Sequence, residues 1–105
     1  MISETTIRKV RELAIEDVLS PYVRLSRKGS TLMGLCPFHT EKTGSFAVTP
    51  DKNLFHCFSC NRGGDSITFI MEKENLSFSA AVEFIARNHN IPVEYISEER
   101  SEEQM

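Results

Sequence analysis

Apolar residues recur at steps of three and four along Ile7, Val10, Leu13, Ala14 and Val18, with Arg8, Lys9, Arg11, Glu12 and Glu16 between them. That spacing predicts a helix over residues 4–20 with one face turned to a core. Ser3 supplies a cap and Pro21 a stop. Ile15 falls off the stripe, which leaves room for a kink or a second short helix over 15–20. From residue 22 the period shortens to two. Residues 22–26, 31–35, 45–49 and 53–57 read as four short strands, with turns at 27–30 and 50–52. Asn61-Arg62-Gly63-Gly64 breaks the alternation. Helical spacing returns over 66–74, capped by Asp65, with Ile67, Phe69 (or Ile70) and Met71 inward. It returns again over 78–88, capped by Ser77, with Phe78, Ala81, Val82, Ile85 and Ala86 as its apolar face. His89-Asn90 and Pro92 end that helix. The pattern predicts a small α+β fold with a short antiparallel β-sheet and helices, over residues 1–96. Residues 97–105 carry no apolar pattern and are expected to form a disordered tail or the start of a linker.

Length and composition narrow the class. At 105 residues, 40% apolar and 26% charged, the chain is expected to be one globular domain. No stretch approaches the ~18 apolar residues of a membrane span. Met1-Ile2-Ser3-Glu4-Thr5 lacks the basic and apolar regions of a secretory leader, so a cytoplasmic address is expected. The net charge of −3 hides an asymmetry. Residues 22–64 carry six bases (Arg24, Arg27, Lys28, Lys42, Lys52 and Arg62) against two acids, whereas residues 65–105 carry nine acids against three bases. A basic middle fits a polyanion-binding face, and it also fits an ordinary solvated surface.

The cysteines carry the sharpest signal. Cys36-Pro37-Phe38-His39 and Cys57-Phe58-Ser59-Cys60 share a two-residue gap, and residues 40–56 separate them. Two residues between ligands let both side chains of a tight turn reach one ion. Each pair sits at a predicted strand end, so each can form a knuckle. Three thiolates and one imidazole in a tetrahedral set favour Zn²⁺ over harder cations. With four protein ligands no position remains for water or substrate, which makes one structural zinc the expectation. A redox reading of Cys57 and Cys60 alone leaves the first pair without a role. Three buried thiols beside a satisfied histidine would leave the matched spacing to chance. Structural zinc contributes roughly 10–16 kcal/mol of apparent free energy in small domains, enough to decide folding at this size. His56 neighbours Cys57 on a strand and is expected on the opposite face. His89 reads as a helix-end residue.

At these residues the chain resembles the N-terminal zinc-binding domain of bacterial DNA primases. The resemblance rests on residues 34–46, from Gly34-Leu35-Cys36-Pro37-Phe38-His39 to Ser45-Phe46, on residues 55–65, and on Leu76-Ser77-Phe78 and Ala81-Val82-Glu83. Gly44 stands where proline is usual, and Ser79-Ala80 where Pro-Glu is common. The resemblance implies a zinc ribbon on a short antiparallel β-sheet flanked by helices, with zinc at Cys36, His39, Cys57 and Cys60. It further implies a module that grips the single-stranded DNA template and helps choose where an RNA primer begins. Its implied partners are a primase polymerase core and, as a further candidate, a replicative helicase. No Asp-x-Asp pair or cluster of internal acids is present to hold Mg²⁺ for phosphoryl transfer, so the chain by itself is expected to make no primers.

Single-strand binding needs cations for phosphates and flat rings for bases. Arg24, Lys28, Lys42, Lys52 and Arg62 supply the first. Phe46 or Phe58, beside Lys42 and Arg62, is the expected stacking platform, and packing of the small sheet is the other use open to each ring. Two further classes stand beside this reading. One is a protein-interaction module docking on a polymerase core or helicase with little DNA affinity, which the acidic helices would suit. The other is a metalloenzyme, which needs a labile fourth ligand.

Overall fold

Ser3 starts the first helix, its hydroxyl accepting the Thr6 amide at 3.2 Å. The computed structural model describes residues 2–38, 45–59 and 61–96. The tail expected over 97–105 lies outside them. Instead of one helix over 4–20 there are two, α1 (Glu4–Arg11) and α2 (Ile15–Leu19). Between them Ala14 is extended, with φ −64° and ψ 126°, and has no side chain able to cap α2. The cap comes from 38 residues away. Asn53 Oδ1 accepts the Ile15 amide at 2.8 Å, and its Nδ2 donates to the Arg11 and Leu13 carbonyls, each at 3.0 Å. One amide thus closes the end of α1 and opens α2, satisfying backbone groups that a helix break leaves unpaired. The break turns Ile15 into the core, where it is fully buried.

The strand expected at 22–26 begins later, as β1 (Ser26–Lys28). The Tyr22 and Val23 amides donate back to the Leu19 carbonyl at 2.8 and 3.1 Å, so the chain is still turning there. β2 (Thr31–Gly34), β3 (Phe46–Thr49) and β4 (Leu54–Cys57) follow the alternation. A fifth strand, β5 (Arg62–Gly64), replaces the expected break, and the five form an antiparallel meander in chain order. Glycine hides β5 from a pattern of side chains, yet the strand needs it. Gly64 has φ +147°, and a Cβ there would lie 2.9 Å from Thr68 Cβ in the first turn of α3 (Ser66–Lys73). Asp65 caps α3 by accepting the Thr68 amide at 2.9 Å. Ser77 caps α4 (Phe78–Asn88) through the Ala80 amide at 3.2 Å.

The register sorts the sheet into two faces. Leu32, Val48, Phe55 and Gly64 form one cross-strand row, and Gly34, Phe46, Cys57 and Arg62 the next. Both rows turn toward the helices. Phe69 of α3 sits at the centre of that layer, 5.2 Å from Phe38, 5.4 Å from Phe55, 5.6 Å from Tyr22 and 6.0 Å from Phe46, centroid to centroid. Edge and offset contacts of this kind add ~0.5–1.5 kcal/mol per pair to the burial itself. Val10, Ile15, Leu19, Ile67, Ile70, Val82 and Ile85 fill the remainder of the core. Phe69 and Ile70 both face inward, and Met71 is only partly buried. The alternate row, Ser26, Met33, Ala47, His56 and Gly63, looks the other way. On that side and beyond its strand ends Leu35, Leu54 and Phe58 are exposed. Among the described residues no helix is long and apolar enough to cross a membrane.

Two consequences are measurable. Asn53→Ala removes three hydrogen bonds and the residue type that tolerates φ 57°. It should cost about 2–4 kcal/mol in urea unfolding, with Asn53→Asp falling between because only the acceptor survives. Tyr22 donates to Glu74 at 2.7 Å, and burial, followed by that carboxylate, pushes its phenol up to about 12 from 10.0. A folded pKa above the unfolded one gives stability that is intact below pH 10 and drains away as pH rises toward about 12. Tyr22→Phe should therefore lose less stability than the parent over that alkaline window.

Candidate metal centre and nucleic-acid face

Cys36 lies two residues past Gly34 at the end of β2, and Cys57 closes β4. Gly34 pairs with Phe46, and Phe46 pairs with Cys57, so the antiparallel register brings both cysteine segments to one end of the sheet. Gly34 is required for this path. A Cβ there would lie 2.5 Å from the Arg24 carbonyl oxygen, which crosses directly over it. Both thiols are buried. The Phe38 amide donates to Cys36 Sγ at 3.4 Å. The Asn61 amide donates to the Cys57 carbonyl at 2.8 Å, and Asn61 is left-handed at φ 58°, which folds the second segment back into β5.

These features fit a metal. The amide aimed at Cys36 Sγ is a contact that a ligating sulfur can accept. Two buried sulfurs on knuckle-like turns at one sheet end match the donor chemistry of structural zinc. His39 and Cys60, the other two expected ligands, lie outside the described residues. His56 is half-buried on the opposite face from Cys57, as its neighbouring position on the strand requires. His89 ends α4, its amide donating to the Ile85 and Ala86 carbonyls.

The expected DNA contacts separate into three groups. Phe46 is 0% exposed and stacks on Phe55 at 5.4 Å, so it offers no ring face to a base. The physical reason is its row: it points with Cys57 into the helical layer. Phe58 is 68% exposed. It continues the alternation of Leu54 and His56, and the His56 ring meets it edge-on at 4.6 Å. Its amide donates to the Ser45 carbonyl at 3.0 Å, and the Ser45 and Ser59 hydroxyls share a hydrogen bond of 2.6 Å beside it. The ring is thus held by its backbone while its face stays open.

Arg62 is not beside Phe58. It pairs with Cys57 in the register and points toward α3, where its guanidinium meets the Glu72 carboxylate and lies 4.9 Å over the Phe38 ring. Arg24 and Lys28 border a shallow groove on the outer face with Ser26, Met33, Gly34 and Leu35. Lys52 occupies the β3–β4 turn, at the end of the sheet away from Phe58. Lys42 lies outside the described residues. Leu35, Leu54 and His56 also lie on the outer side of the sheet. The alternation that turns Phe55 and Cys57 inward turns Leu54 and His56 outward.

Comparison with known proteins agrees with this geometry. A family model described as CHC2 zinc finger matches residues 2–101. The chain is 46% identical over 96 residues to a DNA primase of Streptomyces coelicolor, covering 90% of this chain and 15% of the relative. It is 45% identical over 96 residues to a DNA primase of Helicobacter pylori, covering 90% and 17%. It also superposes on the crystal structure of the Aquifex aeolicus primase, which comprises zinc-binding and RNA polymerase domains. The TM-score is 0.78 at 37% identity, over 90% of this chain and 24% of that one. The chain therefore spans only about one sixth of the length of these curated relatives. With Cys36 and Cys57 buried at one end of a five-stranded meander, and matches that run through nearly all of it, the chain belongs to the CHC2 zinc finger family, as a zinc-binding domain of the DNA primase type.

Proposed function

We propose that this domain binds single-stranded DNA template and helps set where primer synthesis begins, acting beside a polymerase core rather than catalysing by itself. The observation that carries this reading is the outer sheet face. Phe58 stands exposed there just past β4 in a T-shaped contact with His56, Leu54 lies on the outer face of that strand, and on the β1–β2 side of that face Arg24 and Lys28 line a groove with Leu35. A single strand asks for this combination: rings for bases and cations for phosphates. The relatives are DNA primases, and the Aquifex chain carries an RNA polymerase domain along with its zinc-binding one. That supports a polymerase core as partner and a cytoplasmic setting with the chromosome. One zinc is assigned to Cys36, His39, Cys57 and Cys60. Buried Cys36 and Cys57 thiols at one sheet end support that set. The zinc fixes the end of β4 from which Phe58 projects.

A docking surface for protein would also use Leu35 and Leu54. Salt separates the two readings, because phosphate contacts weaken steeply as salt rises and apolar docking does not.

Three outcomes follow. Elemental analysis should find one zinc per chain, and chelation should abolish the folded near-ultraviolet signal; a folded chain without zinc would refute the ligand assignment. Phe58→Ala should weaken binding to single-stranded DNA by ~1–3 kcal/mol. The same substitution should change unfolding stability by no more than about 0.5 kcal/mol, because the ring is exposed. Arg24→Ala with Lys28→Ala should lower both the affinity and its salt slope, and an unchanged slope would move the strand off this face.

A further inference from the structure

Phe69, Glu72 and Lys73 lie at i, i+3 and i+4 along α3, and so share one face of that helix. Each touches a different part of the cysteine end of the sheet. Phe69 packs on Phe38 at 5.2 Å. Glu72 pairs with Arg62, which is cross-strand from Cys57 and lies 4.9 Å over the same Phe38 ring. Lys73 Nζ donates to the Pro37 carbonyl at 3.2 Å. Pro37 and Phe38 are the two residues between Cys36 and His39. The Phe38 amide itself donates to Cys36 Sγ at 3.4 Å. The first knuckle is therefore held by Lys73 and Phe69, and the second through Arg62 by Glu72. The Phe38 ring, between Phe69 and Arg62, joins the two.

We propose that this face of α3 is a clasp on the zinc knuckles. Arg62, Glu72 and Lys73 are positioning residues that slow the opening of the Cys36 and Cys57 turns and so slow the loss of zinc. The inference rests on the four-ligand assignment above. It gives Arg62 a role on the metal side of the sheet in place of a phosphate contact. The contacts are partly exposed, so each is worth little alone, and their effect lies in holding two turns against one helix.

The test uses the full chain loaded with zinc. Transfer of zinc to an excess of chromogenic chelator is followed in the parent and in Glu72→Gln, Lys73→Met, Arg62→Ala and Arg62→Lys. Glu72→Gln and Lys73→Met should each release zinc about two- to fivefold faster. Arg62→Lys should be intermediate between the parent and Arg62→Ala, because it keeps the charge and loses the flat face over Phe38. Arg62→Ala with Glu72→Gln should be no faster than Arg62→Ala alone, since both remove one contact. With Co²⁺ in place of zinc, the visible absorption bands should shift in the same variants. Glu83→Gln, which removes the charge from the acceptor of the distant Tyr95–Glu83 hydrogen bond, should leave both readouts unchanged. Parental release rates in both Glu72→Gln and Lys73→Met would overturn the clasp, as would equal acceleration in Glu83→Gln. So would a reduced salt slope for single-stranded DNA in Arg62→Ala with zinc release unchanged, the mark of a phosphate contact. A parent that binds no zinc would instead sink the ligand assignment itself.

Discussion

The pairing of Phe46 with Cys57 is the constraint on which the rest of the molecule depends. In an antiparallel ladder a slip of one residue sends every side chain to the other face. With this register Phe46, Phe55 and Cys57 point inward to Phe69, and His56 and Phe58 do not. The same register carries Gly34 opposite Phe46, and so brings Cys36 to the end of the sheet where Cys57 sits. Core packing and the placement of Cys36 and Cys57 are therefore not independent choices. The aromatic layer around Phe69 fixes the register, and the register brings the cysteine turns together.

Much of this is legible from residue spacing because it depends on local periods. The Asp65 and Ser77 caps and the inward placement of Ile67, Ala81, Val82, Ile85 and Ala86 follow from what each residue does to its own neighbours, whereas Phe78, expected on the apolar face of α4, is exposed at its first turn. Three features do not follow in this way. Asn53 caps α2 from a turn 38 residues away, and no local pattern announces a cap supplied by another element. Strand β5 consists of Arg62-Gly63-Gly64, and a strand with two glycines has no alternation to read. Its evidence is steric, in the approach of Gly64 to Thr68. Phe46 is assigned between core and platform only by the register, because both uses ask for the same residue type.

Arg62 shows how a charge count differs from a charge surface. By sequence it belongs to the basic middle of the chain. In the fold it faces α3 and is paired with Glu72 while covering Phe38. Arg27 likewise turns back on its own hairpin, donating to the Gly29 carbonyl at 3.4 Å. Among the described residues the outer face keeps Arg24 and Lys28 along its groove. The positive potential there is correspondingly smaller than six bases in residues 22–64 suggest.

That reduction bears on how such a face would be used on the proposed reading. Each phosphate neutralised on a single strand contributes a salt slope of about −0.7. On that reading, the two cations and one exposed ring that the described residues place on this face give weak, salt-sensitive affinity. Weak binding is no defect in a domain that works next to a larger nucleic-acid site. Tethering converts a second contact into an intramolecular one, and the effective concentration of a short linker supplies what the face lacks. The chain covers only about 15% of the curated relatives it matches. On the proposed reading a weak outer face tests a strand of template without trapping it, while on the other side of the sheet Phe69 and Arg62 pack on Phe38 beside the cysteine end.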